Sequence, residues 1–139
     1  MSSEQEAVIS REFPESAGSS KPHKNLLAWQ KSMDLVVDIY NITQQFPKEE
    51  LYGLSSQLRR AAVSVPSNIA EGAADRTPQQ FSNFLSNAIG SLNEIDTQLM
   101  VAYRLGYLDE ENHACLHGRV DECLALTYGL RKSLPRRVR

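Results

Sequence analysis

Between Phe81 and Ala102 the apolar residues Phe81, Leu85, Ala88, Leu92, Ile95, Leu99 and Ala102 recur at alternating steps of four and three. A helix turns once every 3.6 residues, so this rhythm lays all seven side chains along one seam. A seam of that length must be covered by helices running nearly alongside it. Just ahead of it, Thr77 is placed as an N-cap, Pro78 as the first helical residue and Gln80 as the partner in a capping box. Gly106 closes the helix. Gly90 and Ser91, in the middle, are read as a point where a neighbouring helix comes close, despite the cost of glycine in a helix.

Three further segments carry the same period. Trp29, Met33, Val36 and Tyr40 form one stripe; Leu35, Ile39, Ile42 and Phe46 form a second beside it. They predict a helix capped by Asn25 and ending before Pro47, with an apolar face wider than one neighbour needs. A second helix is predicted from Leu54 to Ala70. Leu54, Leu58, Ala61, Val65 and Ile69 face the core, and Gly72 ends the helix in the left-handed conformation. Asp109 caps a fourth, whose face is Leu116, Val120, Cys123, Thr127, Leu130 and Leu134. Sustained strand alternation is found nowhere in the sequence. Four helices with short connections predict an all-α, antiparallel up-down-up-down four-helix bundle.

With 139 residues, this is one domain. Residues 1–24 are polar and rich in Ser, Glu and Pro, and read as a disordered arm; residues 25–134 are the bundle; residues 135–139 are a basic tail. No segment has the length of apolar residues that a membrane span requires, nor does the amino-terminal stretch have the apolar core of a secretory signal. A cytoplasmic protein is therefore expected. Cys115 and Cys123 stand eight apart on one helix, about 12 Å at 1.5 Å per residue, too far for a disulfide. Two buried, reduced thiols are expected.

Signals for chemistry are weak. His113, His117 and Asp121 recur every four residues, with Cys115 between them, so they could share a helix face. A zinc site needs further ligands from elsewhere, and the di-iron pattern of Glu-x-x-His on paired helices is not supplied. Neither a glycine-rich phosphate loop nor a nucleophile elbow is present. The expectation is no catalytic residues, no metal and no cofactor. The net charge of −2 gives no global nucleic-acid signature. Arg59, Arg60, Arg76, Arg131, Lys132, Arg136, Arg137 and Arg139 are the cations to consider for RNA or a partner. The bland alternative for the tail is a solvated helix end that suits the helix dipole.

The segment Ser64–Gly72, SVPSNIAEG, places a proline inside the second helix. Pro66 has no amide to bond the carbonyl of Ala62, so a kink is expected, with Ser64, Ser67 and Asn68 as local donors for the freed oxygen. Gln57, Arg60, Ser64, Ser67 and Glu71 make a polar stripe. Ser55, Arg59, Ala62, Pro66 and Ala70 make a strip of mostly small side chains, read as able to admit a helix from a neighbouring subunit. Ser64, Pro66, Ser67, Asn68, Glu71 and Gly72 are therefore read as a structural signature, with a binding site as the alternative.

That signature, within YGLSSQLRRAAVSVPSNIAEG, closely resembles the bacterial four-helix-bundle family named after proteins encoded in intervening sequences of 23S ribosomal RNA genes. WQKSMDLVVDIYNITQQFPKEE and FSNFLSNAIGSLNEIDTQLMVAYRLGYL are similar to the family's first and third helices, so the resemblance spans Leu26 to Ser133. It implies a bundle that assembles into a homopentamer around a channel, without a known reaction. A related branch comprises accessory proteins of diversity-generating retroelements, which bind nucleic acid and a reverse transcriptase through a strongly basic surface. The slightly negative charge of this chain departs from that branch. The expected function is a non-enzymatic, oligomeric binding or scaffold protein, with structured RNA or a ribonucleoprotein as candidate ligand. The alternatives are an adaptor that docks through its arm or tail, and a reverse-transcriptase accessory protein.

Overall fold

The computed structural model describes residues 21–74 and 76–135. The disorder expected of most of the arm, and the tail residues Arg136, Arg137 and Arg139, lie outside the described residues. Four α-helices carry the fold: α1 (Leu27–Thr43), α2 (Leu54–Ala73), α3 (Pro78–Arg104) and α4 (Glu110–Ser133). Among the described residues there is no strand. Each helix packs on the next in sequence, and α1 also packs on α4; the diagonal pairs, α1 with α3 and α2 with α4, have no close backbone approach and meet only through the shared core. The arrangement is therefore a closed ring of four neighbours around one core.

The heptad seam fills that core. Leu85, Ala88, Leu92, Ile95, Leu99 and Ala102 are fully buried against Leu35, Ile39, Leu58, Val65, Ile69 and Val120. The ends of α3 form as the sequence predicts. Thr77 accepts from the Gln80 amide, the Gln80 side chain accepts from the Thr77 amide, and Gly106 turns at φ 82°. Asp109 accepts from the Asn112 amide and caps α4.

Other boundaries differ from the expectation. Helix α1 is capped at Leu26 without a side-chain bond, not at Asn25. The turn before it, Pro22–Asn25, packs on α1 and α2, and His23, assigned to the arm by sequence, stands edge-on to Trp29 at 4.9 Å. At its other end α1 stops at Thr43 rather than Phe46. The Gln45 and Phe46 amides bond carbonyls only three residues back, tightening the chain so that Phe46 turns into the core beside Tyr107.

Gly72 does not end α2 in the left-handed conformation, and the helix runs on to Ala73. A Cβ at Gly72 would lie 2.7 Å from Phe81 Cδ1 and 2.8 Å from Phe84 Cβ. The position therefore serves close packing of α2 on the first turns of α3. Gly90 is the converse: nothing lies within 4 Å of a Cβ there, so it marks no close approach. Helix α2 is continuous through Pro66. The donors expected for Ala62 act on carbonyls around it instead: Ser64 on Ala61, Ser67 on Val63 and Asn68 on Ser64. The small strip is not open to another subunit. Ser55, Ala62 and Pro66 are buried within the chain, and Arg59 on the same strip donates to Thr43 of α1.

Among the described residues, no helix is long and apolar enough to cross a membrane.

Candidate functional site

A concavity lies on the outer surface between α1 and α2. It is a shallow groove of about 660 Å³ lined by Tyr40, Leu51, Tyr52, Ser56, Arg59, Arg60, Val63 and Ser64. The loop from α1 brings Leu51 and Tyr52 to its rim, and Tyr52 is 93% exposed. Val63 and Tyr40 are also exposed, and Val37 on α1 adds a further exposed apolar side chain. Exposed apolar residues scattered singly need no explanation, but a contiguous set on one concave face makes the groove the candidate site.

The electrostatics of the groove are one-sided. Among the described residues, its only charged lining residues are Arg59 and Arg60. Arg59 is held in place: Nε donates to Thr43 Oγ1 at 2.8 Å, and the guanidinium lies 4.9 Å from the centre of the Tyr40 ring. The nearby acid Glu50 is turned away. One of its carboxylate oxygens accepts from the Leu54 amide, the other from the Tyr107 hydroxyl, whose pKa this bond raises. The groove thus presents cationic and aromatic groups without a local counter-charge in its lining.

Of the other cations foreseen by sequence, the described ones, Arg76, Arg131 and Lys132, do not line this groove. Arg76, between α2 and α3, donates to the Glu71 carbonyl and covers the Phe84 ring at 5.3 Å. Arg131 on α4 donates to Ser86 on α3 and covers Tyr128. Lys132 is exposed beside it. Among the described residues, the foreseen cations therefore fall into two groups, one in the groove and one around the start of α3.

The histidine cluster is an interhelical clasp. His117 Nδ1 meets Asp96 Oδ1 of α3 at 2.8 Å, and Nε2 meets Asp121 Oδ2 at 3.3 Å. Its pKa is raised, chiefly by the Asp96 hydrogen bond. His113 stacks on Tyr103. Among the described residues, no three His, Cys, Asp or Glu side chains are arranged to hold a metal. Cys115 is exposed, contrary to expectation, and lines a separate depression with Asp38 and Arg119. Cys123 is buried, and desolvation pushes its thiol up to about 12. Between α1 and α4, the Arg119 guanidinium pairs with Asp38, while burial raises the pKa of neighbouring Asp34.

Of the signature residues, Ser64 reaches the groove, and its hydroxyl oxygen meets that of Ser91 on α3 at 2.5 Å. Pro66 and Gly72 are buried; Ser67 and Glu71 are exposed. Of the six signature residues, Pro66 and Gly72 are thus packed inside the chain, and Ser64 stands at the edge of the groove.

Comparison with known proteins follows the same lines. The family model described as 23S rRNA-intervening sequence protein matches residues 24–129. A solved structure of a protein with unknown function from the S23 ribosomal protein family of Bacteroides thetaiotaomicron is similar at 24% identity and a TM-score of 0.72. The match covers 77% of this chain and 96% of that one. No curated protein matches the sequence. With the family model spanning most of the chain and the four-helix fold in agreement, the chain belongs to the 23S rRNA-intervening sequence protein family.

Proposed function

We propose that this is a non-enzymatic, self-assembling scaffold of the cytoplasm, a homopentamer of up-down-up-down bundles whose copies meet through the α1–α2 groove. The register of side-chain pairs supports antiparallel neighbours. Along α2 and α3 the pairs run Gln57–Gln98, then Ser64–Ser91. Along α3 and α4 they run Ser86–Arg131, then Asp96–His117. As one member of each pair advances, the other retreats. The pentamer itself is what the family resemblance implies.

The observation that carries self-assembly is the exposed set Tyr40, Leu51, Tyr52 and Val63 on one concave face. Desolvating such a set gains about 25 cal/mol per Å² of apolar surface covered. Light scattering on the purified chain tests it. A mass near five times the 15.6 kDa chain is expected. Val63→Asp should dissociate the assembly while leaving the helical fold intact, because Val63 is exposed in the single chain. A strict monomer at micromolar concentration would overturn this reading.

RNA binding is a second reading, favoured by the arginines and tyrosines of the groove, since bases stack on aromatic rings and phosphates draw arginine. Affinity for ribosomal RNA should then fall steeply with salt and with Arg60→Ala. Undetectable binding at low salt would remove it.

A further inference from the structure

The groove carries two arginines, two tyrosines and no carboxylate in its lining. The same chain contains the complementary sequence. Outside the described residues, Ser10–Ser16 reads SREFPES, in which Glu12 and Glu15 flank Phe13 and Pro14 and, with Arg11 before them, leave a net charge of −1. The family match begins at residue 24, so this segment is an addition to the family's domain. We propose that Ser10–Ser16 lies across the α1–α2 groove of its own protomer, with Phe13 on the apolar rim and Glu12 and Glu15 toward Arg59 and Arg60.

Chain length permits this. The turn Pro22–Asn25 is anchored at the start of α1, where His23 meets Trp29 and the Lys24 carbonyl accepts from Gln30. The groove opens at Tyr40, eleven residues further along α1, about 17 Å at 1.5 Å per residue. Phe13 precedes Lys21 by eight residues, which extend to about 26 Å. The tether is thus longer than the distance to be crossed, but not by much. A short tether of this kind holds its segment at an effective concentration in the millimolar range. A weak acidic-aromatic segment would then occupy the groove for much of the time. Because copies are proposed to meet at the same groove, the arm competes with assembly; this consequence rests on the preceding reading, whereas the docking does not.

Two measurements on the 139-residue chain, with Cys115→Ser to remove the exposed thiol, test both parts. The first is disulfide formation in Ser10→Cys/Ser56→Cys. Its control is Ser10→Cys/Tyr128→Cys. Counting in opposite directions from the Asp38–Arg119 pair places Tyr128 level with Trp29, at the root of the arm. Docking predicts an intramolecular cross-link at least about tenfold faster than in the control. Adding Phe13→Ala, or high salt, should abolish that excess. Equal rates overturn the docking, and so does a product with the mobility of a dimer, which would place the arm on a neighbour. The second measurement is assembly by light scattering with Phe13→Ala, which should tighten association by about two- to tenfold. Unchanged association in a chain that does assemble overturns the competition. A fast cross-link in a chain that never assembles upholds the docking and overturns the proposed assembly instead.

Discussion

The glycines of α2 and α3 offer a paired test of how these helices pack. Replacing glycine by alanine in a helix interior gains about 1 kcal/mol from backbone entropy. Gly90 is exposed in the middle of α3 with nothing near its missing Cβ, so Gly90→Ala should realise that gain. Gly72 is buried in the last turn of α2, where a methyl would sit 2.7 Å from the Phe81 ring and 2.8 Å from Phe84 Cβ. The Phe81 ring can rotate away, but Phe84 Cβ is fixed to the α3 backbone, so the helices must separate. Overpacking of this kind costs about 1–3 kcal/mol, against a propensity gain reduced by the position near the helix end. Gly72→Ala should therefore lose about 1–2 kcal/mol, and the two variants should differ by about 2–3 kcal/mol. At about 4 °C per kcal/mol for a chain of this size, Gly90→Ala raises the melting temperature by about 4 °C while Gly72→Ala lowers it. Urea unfolding of both variants and the parent measures the effect, at one protein concentration because assembly adds to apparent stability. If Gly72→Ala stabilised the protein as much as Gly90→Ala, the close contact with Phe81 and Phe84 would be refuted.

Two further outcomes follow from the ionisable groups. His117 is raised above its ordinary pKa by Asp96, so its contribution to stability is fully present below about pH 6.5 and is lost as pH rises through the folded value. Asp96→Asn should lower the His117 midpoint in an NMR titration and shrink the stability difference between acid and alkaline buffers; an unmoved midpoint would show that the clasp is not formed. Cys115 should react with a thiol reagent in the native protein, while Cys123, buried and raised to about 12, should react only on unfolding; two equally fast native thiols would contradict the burial of the α4 face.

The helices were legible wherever one physical cause dominated. The α3 seam alternates by four and three without interruption, and its start and stop carry residues with a single local purpose: Thr77 and Gln80 for orphan amides, Gly106 for a positive φ. Gly72 misled because glycine near a helix end has two uses, a left-handed turn or room for a neighbour, and only the position of Phe81 and Phe84 decides between them. The end of α1 was likewise settled by tertiary packing. Thr43 is needed as the acceptor for Arg59, and Phe46 reaches the core by leaving the helical path. The small strip of α2 was assigned to a neighbouring subunit because periodicity does not specify which chain covers it; Ser55, Ala62 and Pro66 are buried within this chain, and Arg59 bonds Thr43 of α1.

The groove was less legible, for a related reason. Tyr40 belongs by spacing to the stripe of Trp29, Met33 and Val36, yet Trp29 is buried and Tyr40 exposed. A wide apolar stripe states that something must cover it, not where along its length the chain's own helices stop doing so. Two signals nevertheless stand in the sequence. Val63 interrupts the exposed side of α2, among Ser56, Arg60 and Ser67, where an apolar residue gains nothing from the chain's own core. Tyr52 stands in a connection with no periodic partner, and is almost wholly exposed. Each alone is unremarkable, since folded chains expose many apolar atoms. What makes them a site is the α1–α2 packing that sets them around Arg59, itself fixed between Thr43 and Tyr40. Breaking the Thr43 bond would leave every lining residue in the sequence and still loosen the one cation that the groove holds in a set place.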